Sequence, residues 1–303
     1  MEGIIEKNDY IEFTLSYEDE EEKGLTLIDL FKEYFKNNEI CKYENLIIGA
    51  WEECYEESPK EAIDFMIGNK NLFPNLKNLF VGNMDYERCE VSWITLCDLG
   101  QVLNTFELEE FKVKGSVDLR LKDVKSDSLK TLSFINGGLG SDVLEDVKNA
   151  KLKNLTKLDM YLGVEDYGFD GSIEDIKPFM DKILFPDLKY LGLKNSGIQD
   201  EICEAVLKSN ILEQLEVLDM SLGILSDKSG ELILKNIDKL KHLKKFDIHF
   251  NYIKDSLLEE LRAEFENTNV EFLCDRSNAQ DYMDEENDYD DEDYDYRFPY
   301  MTE

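Results

Sequence analysis

Short apolar pairs, two residues apart, alternate along the chain with longer stretches in which apolar residues recur at spacings of three and four. The clearest copy is Leu188-Lys-Tyr-Leu191-Gly-Leu193-Lys-Asn195-Ser-Gly-Ile198. In an extended segment Leu191 and Leu193 point to one side, and Tyr190, Gly192 and Lys194 to the other. One such strand cannot bury its leucines alone, so neighbouring copies must stack and share one apolar interior. Asn195 is expected to turn the chain off the strand, its amide pairing with backbone groups of the next coil that burial would otherwise leave unpaired.

Further copies begin at Tyr43 (Leu46, Ile48), Leu76 (Leu79, Val81), Leu108 (Phe111, Val113), Leu129 (Leu132, Phe134), Leu155 (Leu158, Met160), Leu215 (Leu218, Met220) and Leu243 (Phe246, Ile248). A degenerate copy at Asn267, Val270 and Phe272 ends the array. The mean interval is about 28 residues, within the roughly 20 to 29 of leucine-rich repeats. This predicts an α/β leucine-rich repeat solenoid: a horseshoe with a parallel sheet on the concave face and helices on the convex face.

The intervening segments read as helices throughout. Ser58-Pro59 is a cap with proline at the first helical position. Ser172 to Asp175 resembles a capping box and opens a run bearing Ile176, Phe179, Met180 and Ile183 at helical spacing, with Pro178 able to shift its start. Asp200, Asp227 and Asp255 each lead an apolar helical run and suit the helix dipole. The domain reading is residues 1–42 as an N-terminal cap, 43–274 as a solenoid of about eight or nine repeats, and 275–303 as an acidic tail. The cap joins a strand (Tyr10 to Tyr17), a solvated acidic loop (Glu18 to Lys23) and a helix (Leu25 to Tyr34), and does not follow the repeat. The tail, with twelve acidic and two basic residues, is predicted to be disordered. Its closing Arg297-Phe-Pro-Tyr-Met301 cluster is left to dock on a partner or back on the solenoid.

Charge narrows the function. With 68 acidic against 34 basic residues the net charge is −34, a surface that repels phosphate backbones and excludes nucleic-acid binding. No apolar run is long enough to span a membrane and no leader-like segment opens the chain, so a cytoplasmic location is expected. Six cysteines without C-x-x-C spacing read as reduced, mostly buried thiols. His242 and His249 lack metal-ligand spacing, and neither a nucleophile elbow nor a phosphate-binding lysine loop is present. Gly137-Gly138-Leu139-Gly140 sits where a repeat turns from strand to helix. No catalytic residue, metal site or cofactor is assigned, and the oligomeric state stays open.

What remains is the outward side of the strands. Asp159, Asp219 and Asp247 hold the same position in their repeats, flanked by Tyr161, Tyr190, Lys194, Lys245 and His249. Such charges can simply pair across strands, at about 0.2 to 1 kcal/mol each, or can form a partner-binding face rich in tyrosine. The Tyr161 to Asp170 insertion, with Asp166 and Tyr167, lengthens its coil into a rim loop suited to a partner contact or to core packing. Both Trp51 and Trp93 are expected in the core.

Several segments lie outside the minimal leucine pattern: Ile48-Gly49-Ala50-Trp51, Glu90-Val-Ser-Trp93-Ile, Gly137-Gly-Leu, Tyr161-Leu-Gly-Val-Glu-Asp166-Tyr167-Gly168 and Leu218-Asp-Met-Ser-Leu-Gly223-Ile-Leu-Ser-Asp227. In these the chain, from about Tyr43 onward, resembles a bacterial family of cytoplasmic leucine-rich repeat proteins with ribonuclease-inhibitor-like repeats. The resemblance implies an intracellular horseshoe without established enzymatic activity, its context in the family hinting at an accessory role. The closing segment departs from the R-Y-V-x-V-x-E of that family. The expected function is a non-enzymatic interaction scaffold that binds a protein partner, one with a basic surface, on the concave face or the rim loop. An immunity or inhibitor protein masking a basic surface, and a metal- or small-molecule-dependent enzyme with its site in the horseshoe, are the alternatives.

Overall fold

The computed structural model describes residues 3–276 and 297–301. Eleven strands form one sheet in chain order: β1 (Ile4–Glu6), β2 (Tyr10–Phe13), β3 (Asn45–Ile48), β4 (Asn78–Val81), β5 (Glu110–Lys114), β6 (Thr131–Ile135), β7 (Lys157–Gly163), β8 (Tyr190–Ser196), β9 (Val217–Asp219), β10 (Lys245–Asp247) and β11 (Glu271–Leu273). β1 and β2 pair antiparallel; from β2 onward every pair is parallel. The nine strands expected from the repeat are β3 to β11. Leu46, Leu79, Phe111, Leu132, Leu158, Leu191, Leu218 and Phe246 stand side by side in register and are buried, so the leucine period sets the strand register without slippage. Each fully buried side chain of this kind contributes about 1.5 to 3 kcal/mol.

The other side of the core is covered by α1 (Leu27–Asn37), α2 (Lys60–Gly68), α3 (Gly100–Thr105), α4 (Ser141–Asn149), α5 (Ile173–Ile176), α6 (Gln199–Lys208), α7 (Asp227–Lys235) and α8 (Asp255–Phe265). This is a leucine-rich repeat solenoid of the α/β class. Ser172 and Asp175 do form a reciprocal cap on α5, with Ser172 N and Oγ both donating to Asp175 Oδ2 at 2.8 Å. The helix then ends after one turn. Pro178 has no N–H for the next helical bond, the chain tightens into a 3₁₀ turn at Lys177–Met180, and Ile183 stands exposed instead of on an apolar helix face.

Helices do not alternate with strands everywhere. Between β5 and β6 no α-helix forms; Val117, Arg120 and Lys125 make single bridges to Thr95, Asp98 and Lys151, and Leu119, Leu121 and Val124 fill the core. The interval from Leu108 to Leu129 is the shortest in the array, and extended backbone spans about 3.3 Å per residue against 1.5 Å in a helix, so only an extended coil covers the distance. The first forty residues contain the expected strand and helix, β2 and α1, but they also continue the repeat. Ile11 and Phe13 of β2 align with Leu46 and Ile48, and Phe13 stacks on Phe31 of α1 at 4.0 Å, so this segment repeats the coil with other apolar residues in the leucine positions. Glu18 to Glu22, read as a solvated loop, is a helical turn with Asp19 buried against Lys23 at 2.9 Å.

Trp51 is buried as expected, its indole N–H donating to the Glu57 carbonyl at 2.7 Å. Trp93 is not: it is 59% exposed, because Val91 supplies the buried position of the turn Val91–Trp93. The tail predicted to be disordered spans residues 275–303; of these, 277–296 and 302–303 lie outside the described residues, and 275–276 and 297–301 are described. Among the described residues no helix is long and apolar enough to cross a membrane.

Candidate interaction face

Strand pairing lines up Ser133, Asp159, Gly192, Asp219 and Asp247 as one row across β6 to β10 on the concave face. Gly192 is the gap that organises it. A Cβ there would meet Asp159 Oδ1 at 2.4 Å and the Tyr190 ring at 3.1 Å. With no side chain in the way, Lys194 from the same strand reaches carboxylates on both neighbours: Nζ lies 3.2 Å from Asp159 Oδ1 and 3.2 Å from Asp219 Oδ2. Tyr190 donates its hydroxyl to Asp219 Oδ2 at 2.7 Å, and Ser221 donates Oγ–H and N–H to Asp219 Oδ1 at 2.5 and 3.1 Å. The lysine ammonium lies 4.7 Å from the Tyr161 ring centre, and Lys157 sits over Tyr190 at 4.4 Å.

Burial opposes the charge of Lys194, yet Asp159 and Asp219 outweigh it and hold the ammonium above the ordinary lysine range. Burial likewise works against the Asp219 carboxylate, but Lys194, Ser221 and Tyr190 pull it below its usual value. Burial and the neighbouring aspartates push the Tyr190 phenol up, and burial raises that of Tyr161. On β10, Asp247 is 2% exposed and is covered by Lys245 at 3.0 Å and by His249 Nδ1 at 2.6 Å. Charge balances within the row, three aspartates against Lys157, Lys194 and Lys245. The groups a partner can reach are therefore Lys157, Tyr161, Tyr190, Lys245 and His249, all half-buried, above carboxylates already engaged. This corrects the expectation that Asp219 and Asp247 are outward contact residues. They face the concave side, but the lysines and the histidine close over them. Among the described residues no three His, Cys, Asp or Glu side chains are grouped to hold a metal.

No family model and no curated protein matches the chain. Among solved structures, a Bacteroides fragilis protein studied as a structural-genomics target is similar over 87% of this chain and 73% of its own, at 37% identity and a TM-score of 0.79. The chain belongs to the family of that Bacteroides protein. An internalin from Listeria monocytogenes is similar over 77% of this chain and 54% of its own, at 16% identity and a TM-score of 0.38, a likeness too slight to inform function.

In this family member the predicted site residues fall in two places. Asp159, Tyr161, Tyr190, Lys194, Asp219, Lys245 and Asp247 lie on the concave strands and His249 just past β10, whereas Asp166 and Tyr167 sit on a rim turn past the end of β7. That turn is tied down: Val164 N donates to Gly137 O at 2.9 Å, and Asp170 Oδ1 accepts from Ser141 N at 2.6 Å at the start of α4. A Cβ on Gly138 would collide with the Tyr167 carbonyl at 2.3 Å, so glycine there lets the insertion pack against the preceding coil. The turn and the exposed Trp93 border one groove of about 420 Å³ with Ser92, Ser116 and Val117. Sequence alternation found the concave residues. It could not find the groove, because Trp93 and Tyr167 come from coils far apart in the chain and only the stacking brings them to one rim.

Proposed function

We propose that the chain is a non-enzymatic interaction scaffold that binds a protein partner on the concave face of β7 to β10. One observation carries this reading: in a chain of net charge −34, this face is charge-balanced and presents Tyr161, Tyr190, Lys157, Lys245 and His249 on a rigid, hydrogen-bonded base. Tyrosine over a preorganised support supplies contact area at low entropy cost, and balanced charge lowers the desolvation penalty of association. The acidic remainder of the surface steers a partner with a basic rim, so association weakens as salt rises. Masking of a basic surface on an enzyme or toxin is one use of the same face.

The test is affinity capture with the full chain as bait at low and high salt, beside the bait Tyr161→Ala/Lys157→Glu. These two side chains are reachable; because Tyr161 lies against Lys194 and Lys157 against Asp159, melting curves of the variant accompany the capture. A stoichiometric partner retained by the native bait and lost by the variant supports the face; equal capture by both baits overturns it.

A further inference from the structure

Arg297 to Met301 lies along the strand-exit rim of the last coils, and the contacts are of an unusual kind for packing. Asn195 Nδ2 donates to the Met301 carbonyl at 2.6 Å while Met301 N donates to Asn195 Oδ1 at 2.7 Å. The Tyr252 hydroxyl donates to the Phe298 carbonyl at 2.9 Å and accepts from Phe298 N at 3.3 Å. Tyr300 N donates to the Leu222 carbonyl at 2.8 Å, and Arg297 Nη1 to that of Ile224 at 3.4 Å. Two side chains of the rim thus each read both backbone groups of one residue, three positions apart. Tyr300 also packs its ring edge-on against Phe250, at 5.2 Å and 82°.

The rim is prepared for this by the repeat. Asn195, Leu222 and Phe250 hold the same place in successive coils, the second residue after the inner pair, and all three take left-handed backbone, with φ of 54°, 65° and 55°. Left-handed backbone is uncommon for leucine and phenylalanine and is maintained only where the surroundings enforce it. Apolar burial in the segment is limited to Pro299, while Phe298 is 47% and Tyr300 62% exposed. The Asn195 side chain, by contrast, is fully buried and commits both polar atoms to Met301. Asn136 stands at the equivalent place after β6, also fully buried, and there neither amide atom has a partner. Asn195 differs from Asn136 in its left-handed backbone and in the docked segment that satisfies its amide.

We propose that the strand-exit rim of β8 to β10 is a peptide-binding site for an extended segment with a tyrosine one residue before the position read by Asn195, and that the chain's own Arg297–Met301 is its resident in cis. Recognition is mainly of backbone, so the site accepts other extended sequences. A tethered resident acts at an effective concentration on the order of millimolar, which keeps the site closed to weak competitors.

The experiment uses a fluorescein-labelled peptide of residues 297–303, titrated by anisotropy into the full chain and into the full-chain variant Tyr300→Gly/Met301→Pro. That variant removes the ring contact and the N–H that Asn195 accepts, with melting curves followed to keep the comparison among folded proteins. The variant is expected to bind the peptide at least about tenfold more tightly than the native chain. Adding Asn195→Ala, or separately Tyr252→Phe, to the variant should weaken that binding about tenfold or more, each removing a two-point backbone contact. A folded variant with no gain over the native chain, or equal affinity with and without Asn195, overturns the site. A native chain that runs as a dimer and becomes monomeric on Met301→Pro overturns the cis assignment.

Discussion

Across β3 to β5 the central concave row runs Ile47, Phe80, Lys112; across β7 to β10 the same row runs Asp159, Gly192, Asp219, Asp247. In the first half the row's contacts join neighbouring strands, apart from Asn83, which donates to Glu12 on β2 at 3.1 Å. Asn78 donates to Asn45 Oδ1 at 2.6 Å, and Lys112 sits over the Phe80 ring at 4.5 Å. In the second half charged groups are sunk below the surface and interlocked, with Lys194 serving two strands at once. The same backbone thus carries one surface of independent weak contacts and one of coupled strong ones. In the second half several side chains are thereby held in one fixed pattern.

Removing the linchpin has the largest expected effect. Lys194→Met leaves Asp159 and Asp219 without their cation and should cost about 3 to 5 kcal/mol by urea denaturation. In a double-mutant cycle with Asp219→Asn the two losses should fall well short of additive, since they break one interaction. Additive losses would make this half as local as the other. Gly192→Ala places a methyl against Asp159 Oδ1 and should cost about 1 to 3 kcal/mol, as overpacking does, with the Tyr190 ring displaced.

Acid sharpens the contrast further. Asp219 titrates below its ordinary 3.8 in the folded chain, so its contribution is fully present above that pH and fades as pH falls through the lower folded value. The stability gap between the native chain and Asp219→Asn should therefore be constant at neutral pH and close below about pH 4. Lys112→Met, in the other half, should cost no more than about 0.5 to 1 kcal/mol and show no coupling to β7 or β8.

The strands were legible in the sequence because a period of two with leucine inside is a local signal, repeated nine times between Tyr43 and Phe272. The outward residues followed from the same alternation. Their depth did not. Whether Asp219 is a contact or a buried partner of Lys194 depends on Gly192 lying between two strands that meet only in the fold. Trp93 was misplaced for a related reason: a tryptophan in a turn has no period to assign it, and Val91 takes the core. The missing helix before β6 was readable, in retrospect, from the short Leu108 to Leu129 interval alone. The Arg297 to Met301 cluster stood out in the sequence as one that docks, but its place on Asn195 did not, since the side-chain contacts there are made to backbone across more than a hundred residues.

The central claim is that the coupled half of the concave face is the binding surface. Its most direct measurement is calorimetric titration of the captured partner against the full chain, Tyr161→Ala/Lys157→Glu on β7, and Phe80→Ala/Lys112→Glu on β4 and β5. The account predicts a loss of at least about tenfold in affinity for the β7 variant, or about 1.4 kcal/mol, and none for the other. The opposite pattern, or equal losses in both, would contradict it.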